Sequence, residues 1–310
     1  MEPAGPVAAI DCGTNSTRLL VAGGDGRPLE RLMRITRLGE GVDATGKLSA
    51  DAIERCTAVL SEYRQIMDDL AVEGGRLVAT SAVRDASNGW EFLEPAKRIT
   101  GFEPEVLTGS EEGRLSLAGA VADLDLADGP FLVLDIGGGS TELVTGSGPR
   151  DPELSVVSMQ LGCVRVTERY LTSDPSAAAE LGEAEAAVNR SLDDAIADHP
   201  RFLEARRLVG LAGTVTTLAS LNLGLETYSR DRVHHSVLSS GDAERWYRTL
   251  AAEDRQARLG RTGMVPGRED VIVAGAMILA MVMRRFGFGE CLVSEADILD
   301  GMVTSLLADS

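Results

Sequence analysis

The chain reads as an α/β protein made of two related halves facing one cleft. Two observations carry that expectation. Strands alternate with helices along most of the 310 residues, and two apolar strands each end in an Asp-x-Gly turn before a second strand begins. A third glycine turn, between a strand and a helix, adds another small-residue loop of the same kind.

The clearest turn follows the apolar run Phe131-Leu132-Val133-Leu134 and reads Asp135-Ile136-Gly137-Gly138-Gly139-Ser140-Thr141-Glu142. Glycines let backbone N–H groups approach an anion closely, so the turn reads as a phosphate cradle. Asp135 and Glu142 repel phosphate. They make sense beside it when a hard divalent cation, Mg²⁺ or Mn²⁺, lies between carboxylate and phosphate oxygens. The N-terminal counterpart runs Val7-Ala8-Ala9-Ile10 into Asp11-Cys12-Gly13-Thr14-Asn15-Ser16-Thr17-Arg18, and Leu19-Leu20-Val21-Ala22 returns as a strand. That order makes the loop a hairpin tip, and neither a P-loop nor a dinucleotide fingerprint is present. The third turn leads from Leu208-Val209-Gly210-Leu211-Ala212 into Gly213-Thr214-Val215, whose amides and hydroxyls suit another phosphate. One glycine turn after a strand is usually just a tight turn. Three in one chain, two headed by aspartate, point to phosphate chemistry.

The remaining elements follow in order. Strands are expected over 7–23 as a pair and over 29–38, with a glycine-rich loop at 39–47. Ser49 is an N-cap for a helix reaching about Val72. Arg76 to Thr80 is a strand, Asn88 opens a helix to about Thr100, and Glu105-Val106-Leu107 is a short strand. A helix then runs from the Thr108-Gly109-Ser110-Glu111-Glu112 segment to Leu124. The second half has strands at 131–135, 141–146, 153–160 and 206–211. Its helices fall near 164–170, 176–197, 214–223, 240–250, 255–259 and 269–286, before a strand at 290–294 and a closing helix at 297–308. The segment 225–238 reads as a loop with a basic and aromatic cluster that includes Tyr228 and Arg230.

Composition narrows the classes. A net charge of −18 argues against a nucleic-acid partner, so any polyanion site must be a local island of arginine, amide dipoles and metal. The four cysteines have no C-x-x-C spacing and fit free thiols of a reducing cytoplasm. Cys12 is expected to be a buried small side chain. The three histidines show no metal-ligand spacing. No signal peptide is expected, and the longest apolar run, 271–283, is too short to span a bilayer, so no membrane partner is expected.

With these motifs on the page, the chain resembles the exopolyphosphatase and guanosine pentaphosphate phosphohydrolase family, part of the wider actin-like ATPase and sugar-kinase superfold. The likeness rests on Asp11 to Ser16, Ala82-Val83-Arg84, Gly109-Ser110-Glu111-Glu112, Asp135 to Glu142, Gly162-Cys163, Gly213-Thr214 and Val293-Ser294-Glu295. It implies two ribonuclease-H-like domains flanking a cleft, at 1–122 with about 298–310, and at 123–297. Long members carry further C-terminal helical domains that are not expected here, and the resemblance to the short form favours short polyphosphate chains or a nucleotide.

The resemblance also assigns roles. Glu112 matches the general base that positions and deprotonates water, with Glu111 as its fallback. Arg84 matches a site arginine suited to clamp phosphate, although its pattern also allows a surface pair with Asp85. Asp135 and Glu142 hold Mg²⁺ or a related ion. Asp11, Gly13, Thr14, Asn15, Ser16, Gly137, Gly138, Gly139, Ser140, Thr141, Gly213 and Thr214 cradle phosphates. Arg18 is open, since a strand residue can equally face solvent. The implied reaction is metal-dependent hydrolysis of a terminal phosphoanhydride of polyphosphate, in a cytoplasmic homodimer. Hydrolysis of guanosine pentaphosphate (pppGpp), an ATP-dependent kinase of the same superfold, and a non-catalytic alarmone or polyphosphate sensor are the alternatives.

Overall fold

The computed structural model describes residues 5–308. These form two compact units, one from the N-terminal residues to Gly119 together with the residues from Ile298 onward, the other from Ala120 to Asp297. In unit 1 the elements are β1 (Val7–Cys12), β2 (Ser16–Ala22), β3 (Pro28–Ile35), α1 (Val42–Thr45), α2 (Ala50–Asp69), β4 (Gly74–Ala79), α3 (Ser81–Asp85), α4 (Trp90–Thr100), β5 (Pro104–Val106) and α5 (Gly109–Ala120). In unit 2 they are β6 (Phe131–Ile136), β7 (Thr141–Gly146), β8 (Ser155–Met159), α6 (Cys163–Tyr170), α7 (Ala178–Asp198), β9 (Arg207–Leu211), α8 (Ala212–Leu223), α9 (Arg230–Val233), β10 (Val237–Ser239), α10 (Ser240–Ala251), α11 (Arg255–Leu259), α12 (Ile272–Phe286) and β11 (Glu290–Val293). The closing helix α13 (Ile298–Ala308) belongs to unit 1.

The two sheets share one plan. Unit 1 has the order β3-β2-β1-β4-β5, and unit 2 has β8-β7-β6-β9-β11 with β10 added at the edge. In each, the first three strands are antiparallel and the next two join in parallel. This is the ribonuclease-H-like arrangement, so the expected α/β class holds. The alternation of chain direction explains the sequence signal: hairpins join the antiparallel strands, and helices must carry the chain between parallel ones.

Apolar periodicity decides which helix faces pack. Ala52, Cys56, Leu60, Tyr63 and Met67 of α2 fall three or four residues apart and are buried. They meet Ile10, Leu19 and Leu77 on one face of the first sheet. On the other face Ala9, Leu20 and Val78 pack against Ile298, Leu299, Met302 and Val303 of α13. The core of unit 2 is larger and is centred on α12, buried from Ile272 to Met283. Among the described residues no helix is long and apolar enough to cross a membrane.

Three sequence expectations change. The segment 39–47 holds the short helix α1, and the helix expected to reach Leu124 ends at Ala120. Segment 225–238 is not all loop: it contains α9 and the edge strand β10, which pairs Val237 with Leu292 and Ser239 with Glu290. Three residues are too few to show a strand period, and only the ladder to β11 makes the strand.

Gly301 marks the tightest contact of α13. A Cβ there would lie 2.2 Å from the Leu115 carbonyl oxygen, a backbone atom that cannot swing away. Gly301→Ala should lower stability by about 1–3 kcal/mol. Gly182→Ala in α7, where a Cβ meets open space, should raise it by up to about 1 kcal/mol, both read from denaturant melts.

Candidate functional site

In unit 1 the sequence-selected residues gather at the carboxyl ends of the parallel strands, where open α/β sheets bind ligands. β1 and β4 end side by side, with Cys12 opposite Ala79. β1 opens into the Gly13–Asn15 turn, β4 into α3, and β5 into α5. Gly13 donates to the Ser16 carbonyl at 3.0 Å, closing the turn. A Cβ on Gly13 would stand 3.1 Å from that same oxygen, so the closure favours glycine. The tip is braced from outside: Thr36 and Arg37 donate to the Asn15 carbonyl, and Gly39 donates to that of Thr14. The Thr14 hydroxyl meets that of Ser81 at 2.8 Å, linking the tip to α3.

Arg84, on α3, donates from Nη1 to the Leu107 carbonyl at 2.7 Å and reaches Glu112 Oε2 at 3.5 Å. Its approach to Asp85 is longer, at 3.9 Å. The guanidinium therefore leans toward Glu112 rather than serving a surface pair. Arg84 Nη2 and Asn15 Nδ2 are both buried with no hydrogen-bond acceptor among the described residues. A buried donor left unmatched costs about 1–3 kcal/mol, and an oxyanion is a ligand that satisfies such a donor.

The two adjacent glutamates at the start of α5 have different duties. Glu111 accepts from the Thr108 backbone N–H and hydroxyl, both at 2.8 Å, while the Thr108 hydroxyl accepts from the Glu111 N–H at 3.2 Å. This is a capping box, and the backbone N–H of Thr108 above all holds the Glu111 carboxyl below its ordinary range. Glu112 lies one residue on, buried, beside Arg84.

Unit 2 repeats the hairpin. Asp135 at the end of β6 stands opposite Glu142 on β7 in the antiparallel register. Glu142 is fully buried, and its Oε1 accepts from the Ser158 hydroxyl at 2.7 Å. Like charges directly opposite in a ladder destabilise it. The two carboxylates are hard oxygen donors, a chemistry that fits a divalent cation. The Gly137–Gly139 turn rests on the start of α6: Cys163 donates to Gly137 and Val164 to Gly138, each at 2.9 Å. Gly162 comes so close that a Cβ would lie 2.1 Å from the Gly138 carbonyl oxygen. Ser140 is buried beside this turn.

Two selected side chains turn away from the turns. The Thr141 hydroxyl donates to the Leu161 carbonyl at 2.5 Å, and Thr214 packs against Gly275 of α12. Thr214, in the first turn of α8, can still offer its backbone N–H to a ligand. Cys12 is fully buried, and its hydrogen bond with Cys56, aided by burial, raises its thiol well above the ordinary range. That fits packing rather than nucleophilic use.

Sequence reasoning missed Arg268. Its guanidinium lies against Gly213, where a Cβ would stand 1.9 Å from Cζ, and the side chain is buried. A lone arginine in a loop before an apolar helix gives no periodic or motif signal. Only the absence of a Cβ at Gly213 discloses the contact.

Two of the histidines meet a carboxylate in the fold. His234, His235 and Asp123 bring ligand atoms within 4.8 Å of one another, although Asp123 lies over a hundred residues away in sequence. Spacing along the chain could not show this. The hydrogen bonds speak against a metal there. His234 Nδ1 accepts from the Glu295 N–H at 3.1 Å, so the neutral ring carries its proton on Nε2, which donates to Asp123 Oδ2 at 2.9 Å. A metal on Nε2 would require that proton to leave.

Comparison with known proteins follows this geometry. The model of the Ppx/GppA phosphatase family matches residues 21–310. A protein of Mycobacterium tuberculosis called exopolyphosphatase 2 is 41% identical over 316 residues, covering 97% of this chain and 98% of that protein. The crystal structure of an exopolyphosphatase-like protein superposes with a TM-score of 0.91 at 37% identity, covering 98% of this chain and 99% of that one. The Aquifex aeolicus member of the Ppx/GppA family gives 0.80 at 34% identity, with 99% of each chain covered.

Separate duties for the two glutamates have a measurable consequence. Glu111→Ala should cost about 0.5–1 kcal/mol of stability through the lost cap while leaving turnover within a few-fold of wild type. Because the folded Glu111 carboxyl is held low, its contribution is present above the unfolded carboxyl's range and is lost as pH falls through the folded value. Melts of the variant and the wild type should therefore converge at acid pH.

Proposed function

The chain belongs to the Ppx/GppA phosphatase family, and we propose that it is an exopolyphosphatase, releasing orthophosphate from the end of inorganic polyphosphate with a divalent cation. The observation that carries this reading is the Arg84–Glu112 pair at 3.5 Å, with Arg84 Nη2 buried and unmatched and Glu111 committed to its cap. Similarity to exopolyphosphatase 2 across 97% of the chain supports the substrate class.

The reaction needs an in-line water, charge neutralisation on the phosphoryl oxygens and a stabilised leaving group. Glu112 Oε2 accepts the proton of the attacking water, and Arg84 holds both the carboxylate and a phosphoryl oxygen in place. In unit 1 the amides of Thr14 and Asn15 with the Ser16 hydroxyl, and in unit 2 the amides of Gly137, Gly138, Gly139 and Gly213 with the Ser140 hydroxyl, bind phosphate, the Gly13 N–H being committed to the Ser16 carbonyl. Asn15 Nδ2 adds a side-chain donor. Asp135 and Glu142 would hold the cation, which supplies positive charge to the phosphate oxygens. Arg268 beside Gly213 adds a fixed cation.

Phosphate release should be measured with Mg²⁺ on short polyphosphate, long polyphosphate and guanosine pentaphosphate. Release from polyphosphate, fastest on short chains, is the expected result, and release from the nucleotide alone would replace the reading. Glu112→Gln should keep substrate binding and lose about 10²–10⁴-fold in turnover; a rate near wild type would remove Glu112 as the base. Glu142→Ala should shift the Mg²⁺ titration to higher concentration, and an unchanged curve would remove it as a ligand.

A further inference from the structure

Each sheet sets a row of side chains across its antiparallel strands, one residue per strand in ladder register. In unit 1 the row runs from Asp11 on β1 to Arg18 on β2 and Met33 on β3. In unit 2 it runs from Asp135 on β6 to Glu142 on β7 and Ser158 on β8. Arg18 is turned inward to its aspartate, with Nε at 2.9 Å and Nη2 at 2.6 Å both donating to Asp11 Oδ2. Charge is thus balanced inside that row, and the next place holds a thioether, which has no proton to donate. Unit 2 puts a second carboxylate where unit 1 has its guanidinium, and there the next place holds a hydroxyl. Ser158 Oγ donates to Glu142 Oε1 at 2.7 Å.

We infer that Ser158 is a positioning residue for the divalent cation, fixing the Glu142 carboxylate as a ligand. The inference rests on the reading of Asp135 and Glu142 as the residues that hold the ion. Glu142 is fully buried, and an ionised carboxylate out of water is costly unless it is hydrogen-bonded. The last torsion of a glutamate side chain is broad, so the plane of its carboxylate is otherwise loosely set. The bond to Oε1 sets that plane before the ion arrives, and less freedom is lost on binding. Its donor is held by backbone rather than by a loop, since β8 pairs with β7 from Ser155 to Met159. Removing such a partner of a metal-ligating carboxylate costs about 10–100-fold in metal affinity.

The test titrates the full chain with Mn²⁺ and reads free ion by electron paramagnetic resonance, in wild type, Ser158→Ala, Ser158→Thr, Ser158→Cys and Glu142→Ala. Ser158→Ala should bind Mn²⁺ about 10–100-fold more weakly. Ser158→Thr keeps the hydroxyl and should bind within a few-fold of wild type, a rescue that lost packing would not produce. Ser158→Cys, a weaker donor, should fall between. Glu142→Ala should lose the ion. Wild-type affinity in Ser158→Ala, with the ion lost in Glu142→Ala, overturns the inference and leaves the cation reading standing. A Ser158→Thr as weak as Ser158→Ala overturns it too. Wild-type affinity in Glu142→Ala defeats the cation reading and the inference with it. If Ser158→Ala does not fold, Ser158→Cys decides: wild-type affinity there overturns the role of Ser158.

Discussion

Each sheet turns its first hairpin over one glycine, and the placement of the charged groups follows from that turn. Gly13 closes onto the Ser16 carbonyl at 3.0 Å, and a Cβ on Gly137 would stand 3.0 Å from the Ser140 carbonyl. The closure fixes the register of the two strands, so Asp11 must face Arg18 and Asp135 must face Glu142. A slip of one residue would send every side chain of the strand to the other face. Fold and site are set by one constraint.

The chain carries a net charge of −18 and belongs to a phosphatase family, so its surface opposes the anions it handles. The resolution is local. Arginines stand at the turns: Arg268 is buried against Gly213, while Arg84 against Glu112 and Arg18 against Asp11 are half-buried. Partly withdrawn from water, these guanidinium groups are screened less than fully exposed charges and act more strongly on a nearby anion.

A second set of contacts organises unit 2 away from its glycine turns. His234 joins Asp123 through Nε2 and Glu295 through Nδ1, stacking on His235 with ring centroids 3.8 Å apart. Asp123 and Glu295 lie near the two ends of the unit's sequence. One imidazole thus ties segment 225–238 to both. His235 sits at φ +60, a conformation a non-glycine residue adopts at some cost, and its N–H donates to Val293 at 2.7 Å.

The sequence by itself determined the class of fold, the order of elements and the duplication. Those properties are written in local chemistry: apolar runs of about four residues, Asp-x-Gly turns, and the 3.6-residue spacing of Cys56, Leu60, Tyr63 and Met67 on α2. Ser49 was legible as an N-cap because its hydroxyl accepts from Ala52 three residues on. Tertiary structure decided what depends on partners distant in the chain. The edge strand β10 exists only through its ladder to β11. The inward turn of Arg18, the placement of Arg268 over Gly213 and the Asp123–His234 bond have no periodic signature. The division of labour between Glu111 and Glu112 shows the boundary most plainly. Thr108-Gly109-Ser110-Glu111 spells a capping box, yet only the folded chain, by bringing Arg84 to 3.5 Å, shows what the next glutamate faces. Short-range patterns fix backbone conformation, whereas a side chain's partner is fixed by which surfaces the whole core brings together.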